Sequence, residues 1–222
     1  MTKEYFPLYL IYGFAFINMG IFSIQEKDVE LIDLPLVKSL KYLGYFGIIH
    51  GISEWITMIT TLGLYPDLYI YLFILKQTLK AVSFTFLMYF GISLMPLRDR
   101  YKKQILKIPI FLVGIWQIGF VLLILYKGQD YHILNPRYNI ITLRYIMGFS
   151  GGVISAIALF LNAKLIEEKK SNKMAKRYRS LAWIFLIYGL LDGLIVKEMD
   201  FFPANMINTK LFLRYLDFQL KY

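Results

Sequence analysis

The sequence contains no cysteine and only two histidines, His50 and His132. The absence of cysteine excludes disulfides and thiolate metal sites, although it says nothing about the redox state of the compartment. Charged residues are also scarce, at 18% of 222 residues, while 58% are hydrophobic and the mean hydropathy is +0.53. Because a soluble domain is only about half apolar, the chain is predicted to be an integral membrane protein.

The sequence also lacks the basic face that nucleic-acid-binding proteins carry. Its formal net charge is +10, but the Lys and Arg residues are grouped between long apolar runs, as the positive-inside rule describes. This grouping argues against nucleic acid as a partner and in favour of the lipid bilayer. No low-complexity linker or soluble domain separates the runs, so residues 1–222 are expected to form a single membrane domain.

Six apolar runs are long enough to cross a bilayer as helices. A hydrocarbon core of ~30 Å needs about 20 apolar residues in a helix, which satisfies its own backbone polar groups. Segments that contain proline, glycine or aspartate separate the runs. The predicted spans are residues 5–24, 40–62, 68–95, 105–126, 141–161 and 181–196. The predicted fold class is therefore all-α, a polytopic transmembrane helical bundle.

The charges of the loops predict how this bundle is oriented in the inner (cytoplasmic) membrane. The segments between the third and fourth spans and between the fifth and sixth are rich in Lys and Arg, whereas residues 65–67 contain neither. The positive-inside rule then places the N-terminus outside the cell. After Asn208 the tail has about fifteen residues, ~22 Å as helix, and several charges. It is expected to form an interfacial amphipathic helix or a truncated seventh span.

Several ionisable residues lie within the apolar runs, mostly in their outer halves. His50 and Glu54 share one face of the second span, and Lys76 and Lys80 share one face of the third, because each pair is one helical turn apart. Charges inside a membrane usually face the bundle interior, form pairs and mark a functional path. The sequence thus predicts a ligand pocket near the outer leaflet, in which Lys76 or Arg144 balances Glu54. Its candidate residues are His50, Glu54, Trp55, Lys76, Lys80, Gln117, Arg144 and Asp192.

An alternative structural interpretation is that these polar residues only tie neighbouring helices together. Two lysines on one face exceed what a single ion pair needs, which favours the pocket. Close helix contacts are predicted separately by small residues at small-xxx-small spacing. Those residues are Gly44, Gly47 and Gly51 in the second span and Gly148, Gly151, Gly152 and Ser155 in the fifth.

Cofactor chemistry has little support in the sequence. A bis-histidine haem needs two facing imidazoles, but His132 is expected in an outer loop. His50 and Glu54 alone are too few for a zinc site. No nucleophile–base pair or phosphate-binding glycine loop occurs, and residues 148–152 resemble a nucleophile elbow only in their letters, because they lie in an apolar helix. We expect no enzyme and no cofactor, with a haem or a quinone as minor alternatives.

Three stretches together resemble the N-terminal membrane input region of some bacterial sensor histidine kinases and diguanylate cyclases. They are Phe-Gly-x-x-His-Gly-x-x-Glu-Trp at residues 46–55, Arg-Tyr-x-x-Gly-x-x-Gly at residues 144–151, and Phe-Phe-Pro-Ala at residues 201–204 followed by Asn208. The resemblance extends from about residue 36 to the end, and the first, third and fourth spans match only in hydropathy. It implies a seven-span sensor whose last helix enters the cytoplasm and drives a transmitter.

The leading functional hypothesis is a membrane signal-input module that senses a small, lipid-soluble molecule in the outer pocket. If 222 residues are the natural product, such a module has six spans and acts as a homodimer or through a separate transmitter protein. The alternative hypothesis is an accessory or assembly subunit of a larger membrane complex of the respiratory type. A small transporter is less favoured, because neither an inverted repeat nor paired broken helices are evident.

Overall fold

The computed structural model describes residues 6–25, 35–127, 136–169 and 172–220, and these residues are almost entirely helical. The helices are α1 Phe6–Gln25, α2 Pro35–Leu62, α3 Tyr69–Leu94, α4 Asp99–Ile105, α5 Ile108–Lys127, α6 Pro136–Leu143, α7 Ser150–Lys169, α8 Asn172–Tyr188 and α9 Thr209–Leu220. A π-helical turn, Arg144–Phe149, joins α6 to α7, and a second, Gly189–Leu194, follows α8. Within these ranges the extended pairing is limited to one isolated bridge between Val196 and Asn208.

Within the described ranges, four helical segments are long and apolar enough, by length and composition, to cross a membrane. They are Phe6–Gln25, Pro66–Leu94, Asp99–Tyr126 and Tyr138–Glu168. The helices α2 and α8, which contain most of the second and sixth predicted spans, fall outside this set. His50 and Glu54 lower the hydropathy of α2, and α8 begins with a basic segment. The predicted all-helical fold is confirmed, and the four apolar helices support membrane association. That the bundle crosses the membrane six times stays a prediction.

Local sequence signals explain where α2 ends and α9 begins. Gly63 follows α2 with a φ of +65°, the left-handed conformation that glycine adopts after a helix C-terminus. The Leu64 N–H then donates to the Ile59 carbonyl at 3.5 Å, which closes the last turn. Asn208 caps α9, because its Oδ1 accepts a hydrogen bond from the Leu211 N–H at 3.0 Å. The predicted helical tail is thus confirmed, and its relation to the membrane surface stays a prediction.

The helices pack in series, α1 along α2, α2 along α3, α3 along α7 and α7 along α8. Glycines allow two of these contacts, as the small-residue spacing predicts. A Cβ on Gly47 would lie 2.6 Å from the Phe16 carbonyl oxygen of α1, and a Cβ on Gly152 would lie 2.6 Å from the Gly189 Cα. Helix backbones that approach this closely leave no room for a larger side chain.

The main hydrophobic core lies between α2, α3, α7 and α8. Its largest fully buried side chains include Phe46, Phe84, Phe90, Leu87 and Leu159. Helix α5 is peripheral: it contacts α3 mainly through Trp116 and Phe120, while Ile110, Phe111, Ile118 and Leu125 are more than half exposed. An apolar surface of this kind is suited to contact with lipid.

The directions in which the helices run along one another define two ends of the bundle. At one end, which we call the pocket end, α1, α3 and α6 begin and α2 and the π turn Gly189–Leu194 end. At the other, the basic end, α1 and α3 end and α2 begins. The basic end also carries α4 and the junction of α7 with α8, which are the two Lys/Arg-rich segments of the sequence.

Candidate functional site

A cavity of about 520 Å³ lies at the pocket end of the bundle. Side chains from α1, α2, α3, α6, the π turns and the segment after α8 line it. Six of them are charged: Glu54, Lys76, Lys80, Arg144, Asp192 and Lys197. The volume falls within the range of about 300–1,000 Å³ that small-molecule pockets occupy. Five of the predicted site residues therefore lie together around one cavity.

Glu54 is neutralised by Lys80, not by Lys76 or Arg144 as the sequence led us to expect. The Lys80 Nζ lies 2.7 Å from Glu54 Oε1, and the two side chains are 13% and 6% exposed. The reason is the antiparallel alignment of α2 and α3. Lys76 lies opposite Thr60, so the residue one turn deeper on α3 reaches the level of Glu54. The two lysines share a helix face, as predicted, but they have different partners.

Lys76 lies on the cavity wall without an acidic partner in the described part of the chain. Its Nζ donates to Thr60 Oγ1 at 3.2 Å and lies 5.3 Å from the centre of the Phe73 ring. No carboxylate oxygen of the described residues lies within 4.0 Å of this nitrogen. The half-buried ammonium group thus keeps a positive charge that these neighbours leave uncompensated.

Arg144 pairs with Asp192, a second correction to the expected partner of Glu54. Its Nε donates to the Asp192 carbonyl, its Nη2 donates to the Ile195 carbonyl at 3.3 Å, and Nη2 lies 3.5 Å from Asp192 Oδ1. Arg144 and Asp192 lie in the two π turns, which contact each other. Such turns occur often at functional sites. Arg144 therefore holds two irregular helix turns together at the edge of the cavity.

His50 is completely buried behind Glu54 and is not part of the cavity wall. Its Nδ1 lies 3.1 Å from Ser83 Oγ, and its Nε2 lies 3.6 Å from Glu54 Oε1. The ring packs against Phe16 and Phe46, with centroids 4.6 and 5.2 Å away. His50 therefore supports the position of Glu54 from behind.

Trp55 and Gln117, two predicted site residues, do not line the cavity. Trp55 Nε1 donates to the Leu10 carbonyl at 3.2 Å and fastens α1 to α2. Trp55 follows Glu54 directly, so it projects about 100° further around the helix and faces α1. Gln117 Nε2 donates to Thr78 Oγ1 at 3.2 Å and links α5 to α3. Both residues tie helices together, as the alternative structural interpretation states for polar residues in membranes.

Ten of the fifteen described residues that line the cavity were not predicted from the sequence, and three of these ten are polar residues whose omission has a reason. Gln77 is 1% exposed, and its Oε1 has no hydrogen-bond partner among the described residues. It is uncharged and follows Lys76, so the charge pattern did not single it out. Tyr12 is one of 18 tyrosines, and nothing in its neighbourhood distinguishes it. Lys197 lies one residue beyond the predicted sixth span, so the search for charges within the spans did not include it.

The chemistry that this arrangement offers is recognition by charge and hydrogen bonding. In the described part of the chain, no group of three His, Asp or Glu side chains is placed to hold a metal ion. His132, which the haem alternative requires, lies outside the described residues. The resemblance to sensor input regions stays a prediction. Comparison of the chain with protein-family models, curated proteins and solved structures found no match.

Proposed function

We propose that the protein is a membrane signal-input module that binds a small molecule in the cavity at the pocket end. The observation that carries this proposal is the set of six charged side chains around one cavity in an otherwise apolar bundle. Ionised groups at membrane depth are expensive, and they are usually retained where they serve a function. A purely structural role would need only the pairs Glu54–Lys80 and Arg144–Asp192, and it leaves Lys76 unexplained.

In this proposal the pocket end faces the outside of the cell and all six spans predicted from the sequence cross the inner membrane. Helix α2 has 28 residues, which corresponds to ~42 Å, and it packs along both α1 and α3. Residues 98–107 and 164–179 supply Lys and Arg at the opposite end, and the positive-inside rule favours the cytoplasm for such segments. The N-terminus, at the start of α1, is then outside.

The signal would pass along helices that reach from the cavity to the basic end. Arg144 lies on the cavity wall, and α7 continues from its π turn to Lys169 at the other end. The contact of the two π turns couples this helix to α8. A ligand that favours one arrangement of the turns shifts the population of the whole helix pair. A transmitter or partner protein at the basic end would read that shift.

The proposal is tested by filling the cavity with a larger side chain. Two quantities are then measured: the amount of bound small molecule and the hydrogen exchange at the basic end. Thr57 lies on the cavity wall, so Thr57→Trp should displace a bound molecule. Ile118→Trp, on the exposed face of α5, is the matched control. Native mass spectrometry of the full chain, extracted in a mild uncharged detergent, should detect a small molecule in the wild type and the control but not in Thr57→Trp.

Hydrogen exchange at residues 164–180 should likewise change in Thr57→Trp and not in Ile118→Trp. Equal occupancy and equal exchange in all three proteins would contradict the proposal. The accessory-subunit hypothesis makes a different prediction for the same purification. It requires a fixed set of redox proteins to co-purify with the chain, in amounts that Thr57→Trp does not alter.

A further inference from the structure

The charges around the cavity do not balance. Glu54 forms an ion pair with Lys80 at 2.7 Å, and Asp192 forms one with Arg144 at 3.5 Å. Lys76 and Lys197 also line the cavity, and neither forms an ion pair with a described residue. The described wall thus carries four cations and two carboxylates. Excess charge of one sign in a cleft with apolar walls attracts a ligand of the opposite sign.

The position of Lys76 leaves room for an anion to bind. An ammonium group has three N–H donors, and the contact with Thr60 Oγ1 uses one of them. The ring of Phe73 and the bond to Thr60 restrain the side chain on the wall, which reduces the entropy that a ligand must offset. Lys76 therefore presents a restrained, positively charged donor to the cavity.

Gln77 adds a second polar group to the cavity wall, next to Lys76 in the chain. It is 99% buried, lines the same cavity and has a side-chain oxygen without a partner among the described residues. An unpartnered buried acceptor is destabilising, and native proteins seldom retain one without a reason. A hydroxyl on the body of a ligand, or the remaining O–H of a monoanionic phosphate, would supply the missing hydrogen bond, whereas an ionised carboxylate would not.

The remaining wall is mostly apolar, which indicates that the rest of the ligand is apolar as well. Leu8, Phe73, Ile140 and Ile141 line the cavity, and the tyrosine rings of Tyr12 and Tyr69 add to this surface. A small inorganic anion would leave these side chains without contacts, whereas an alkyl or ring system would cover them. The wall thus combines one cationic region with a hydrophobic one.

We propose that the cavity binds an anionic amphiphile, a carboxylate or phosphate group attached to an apolar body, with Lys76 as the principal anion-binding residue. This inference identifies the ligand class of the signal-input module and so rests on the proposed function. Lys197, exposed at the cavity, is a second cation for the same group. The anion can come from a membrane lipid or from a soluble amphiphile, since the chemistry of both is the same.

The test is titration calorimetry on the full chain in dodecyl maltoside, with dodecanoate, dodecyl phosphate and uncharged dodecanol as probes. Both anions should bind at least about tenfold more tightly than dodecanol, because a charge-assisted hydrogen bond is worth that much. Lys76→Gln should remove the difference, and Lys76→Arg should retain most of it. Lys107→Gln, which removes the same charge from an exposed site at the basic end, should leave every affinity unchanged.

Each outcome has a defined meaning. The anion inference is overturned if dodecanol binds as tightly as the anions and Lys76→Gln does not change its affinity. If Thr57→Trp then abolishes dodecanol binding, the cavity remains a ligand site. If no probe binds and the wild type retains no small molecule, the proposed function fails as well.

The source of the anion is a separate measurement. In nanodiscs that contain phosphatidate, displacement of dodecanoate in proportion to the phosphatidate content would assign the site to a lipid. An unchanged dodecanoate affinity would assign it to a soluble amphiphile. Both results support the proposed class of ligand.

Discussion

Buried polar groups at the two ends of the bundle differ in charge and in the way they are satisfied. Near the basic end, Asn162 Nδ2 donates to the carbonyls of Leu94 and Ala158, both at 2.7 Å. This amide is neutral and is satisfied by backbone. At the pocket end, Glu54 and Lys80 are charged and pair across two helices. A buried neutral amide is satisfied by hydrogen bonds alone, whereas each buried charge is satisfied by a partner of opposite charge.

The two ends of the bundle also differ in how tightly their helices pack. Toward the basic end α3 and α7 approach so closely that a Cβ on Gly91 would lie 2.7 Å from the Ser155 nitrogen. At the pocket end the cavity of about 520 Å³ opens beside the first half of α3, between it and residues of α1, α2 and α6. Helix α3 therefore makes a tight contact with α7 toward the basic end and lines the cavity at the pocket end.

The largest expected effect comes from breaking the pair at the pocket end. Glu54→Gln leaves the Lys80 ammonium group without its carboxylate, and loss of one partner of a buried ion pair costs about 3 kcal/mol. An SDS titration of the full chain from mixed micelles measures this loss of unfolding free energy. The double variant Glu54→Gln/Lys80→Gln should recover at least half of it, because no unpaired charge remains. A cost below about 0.5 kcal/mol for the single variant would place the pair among weak surface pairs.

The next effect tests the close contact toward the basic end. Gly91→Ala forces a methyl group against the backbone of α7, and overpacking of this kind typically costs about 2 kcal/mol. The matched control is Gly114→Ala on α5, where a Cβ would meet no atom within 4 Å. The control should be neutral or stabilised by up to about 1 kcal/mol, because alanine has the higher helix propensity. Equal stabilities of the two variants in the same SDS titration would mean that α3 and α7 are not tightly packed.

The smallest effect compares one arginine at each end. Arg144→Lys should lower the unfolding free energy by about 1 kcal/mol, because a single ammonium group cannot reach three backbone carbonyls and a carboxylate as the guanidinium does. Arg179→Lys at the basic end should change it by no more than about 0.5 kcal/mol, since Arg179 and its partner Glu167 are each 42% exposed. Thermal unfolding of both variants provides the comparison. A larger effect at Arg179 would reverse the proposed difference between the ends.

The site could be predicted only in part from the sequence. The shared face of Lys76 and Lys80 was correct, because the periodicity of a helix is local. The partner of Glu54 was wrong, because it depends on how far α3 is displaced along α2. The charge pattern also included Gln117, which faces Thr78 of α3 instead of the cavity. No local signal distinguished Gln77, whose significance comes from burial without a partner.

The all-helical class and the positions of most helices could be predicted from the sequence alone. The evidence for them was the length of the apolar runs and the grouping of Lys and Arg between these runs. These two features suffice because a helix satisfies its own backbone, so its existence depends on neighbouring residues alone. The cavity, the choice of Lys80 over Lys76 and the contact of the two π turns arose only when the helices packed. Each depends on the tilt and alignment of segments far apart in the chain, and packing against other helices sets both.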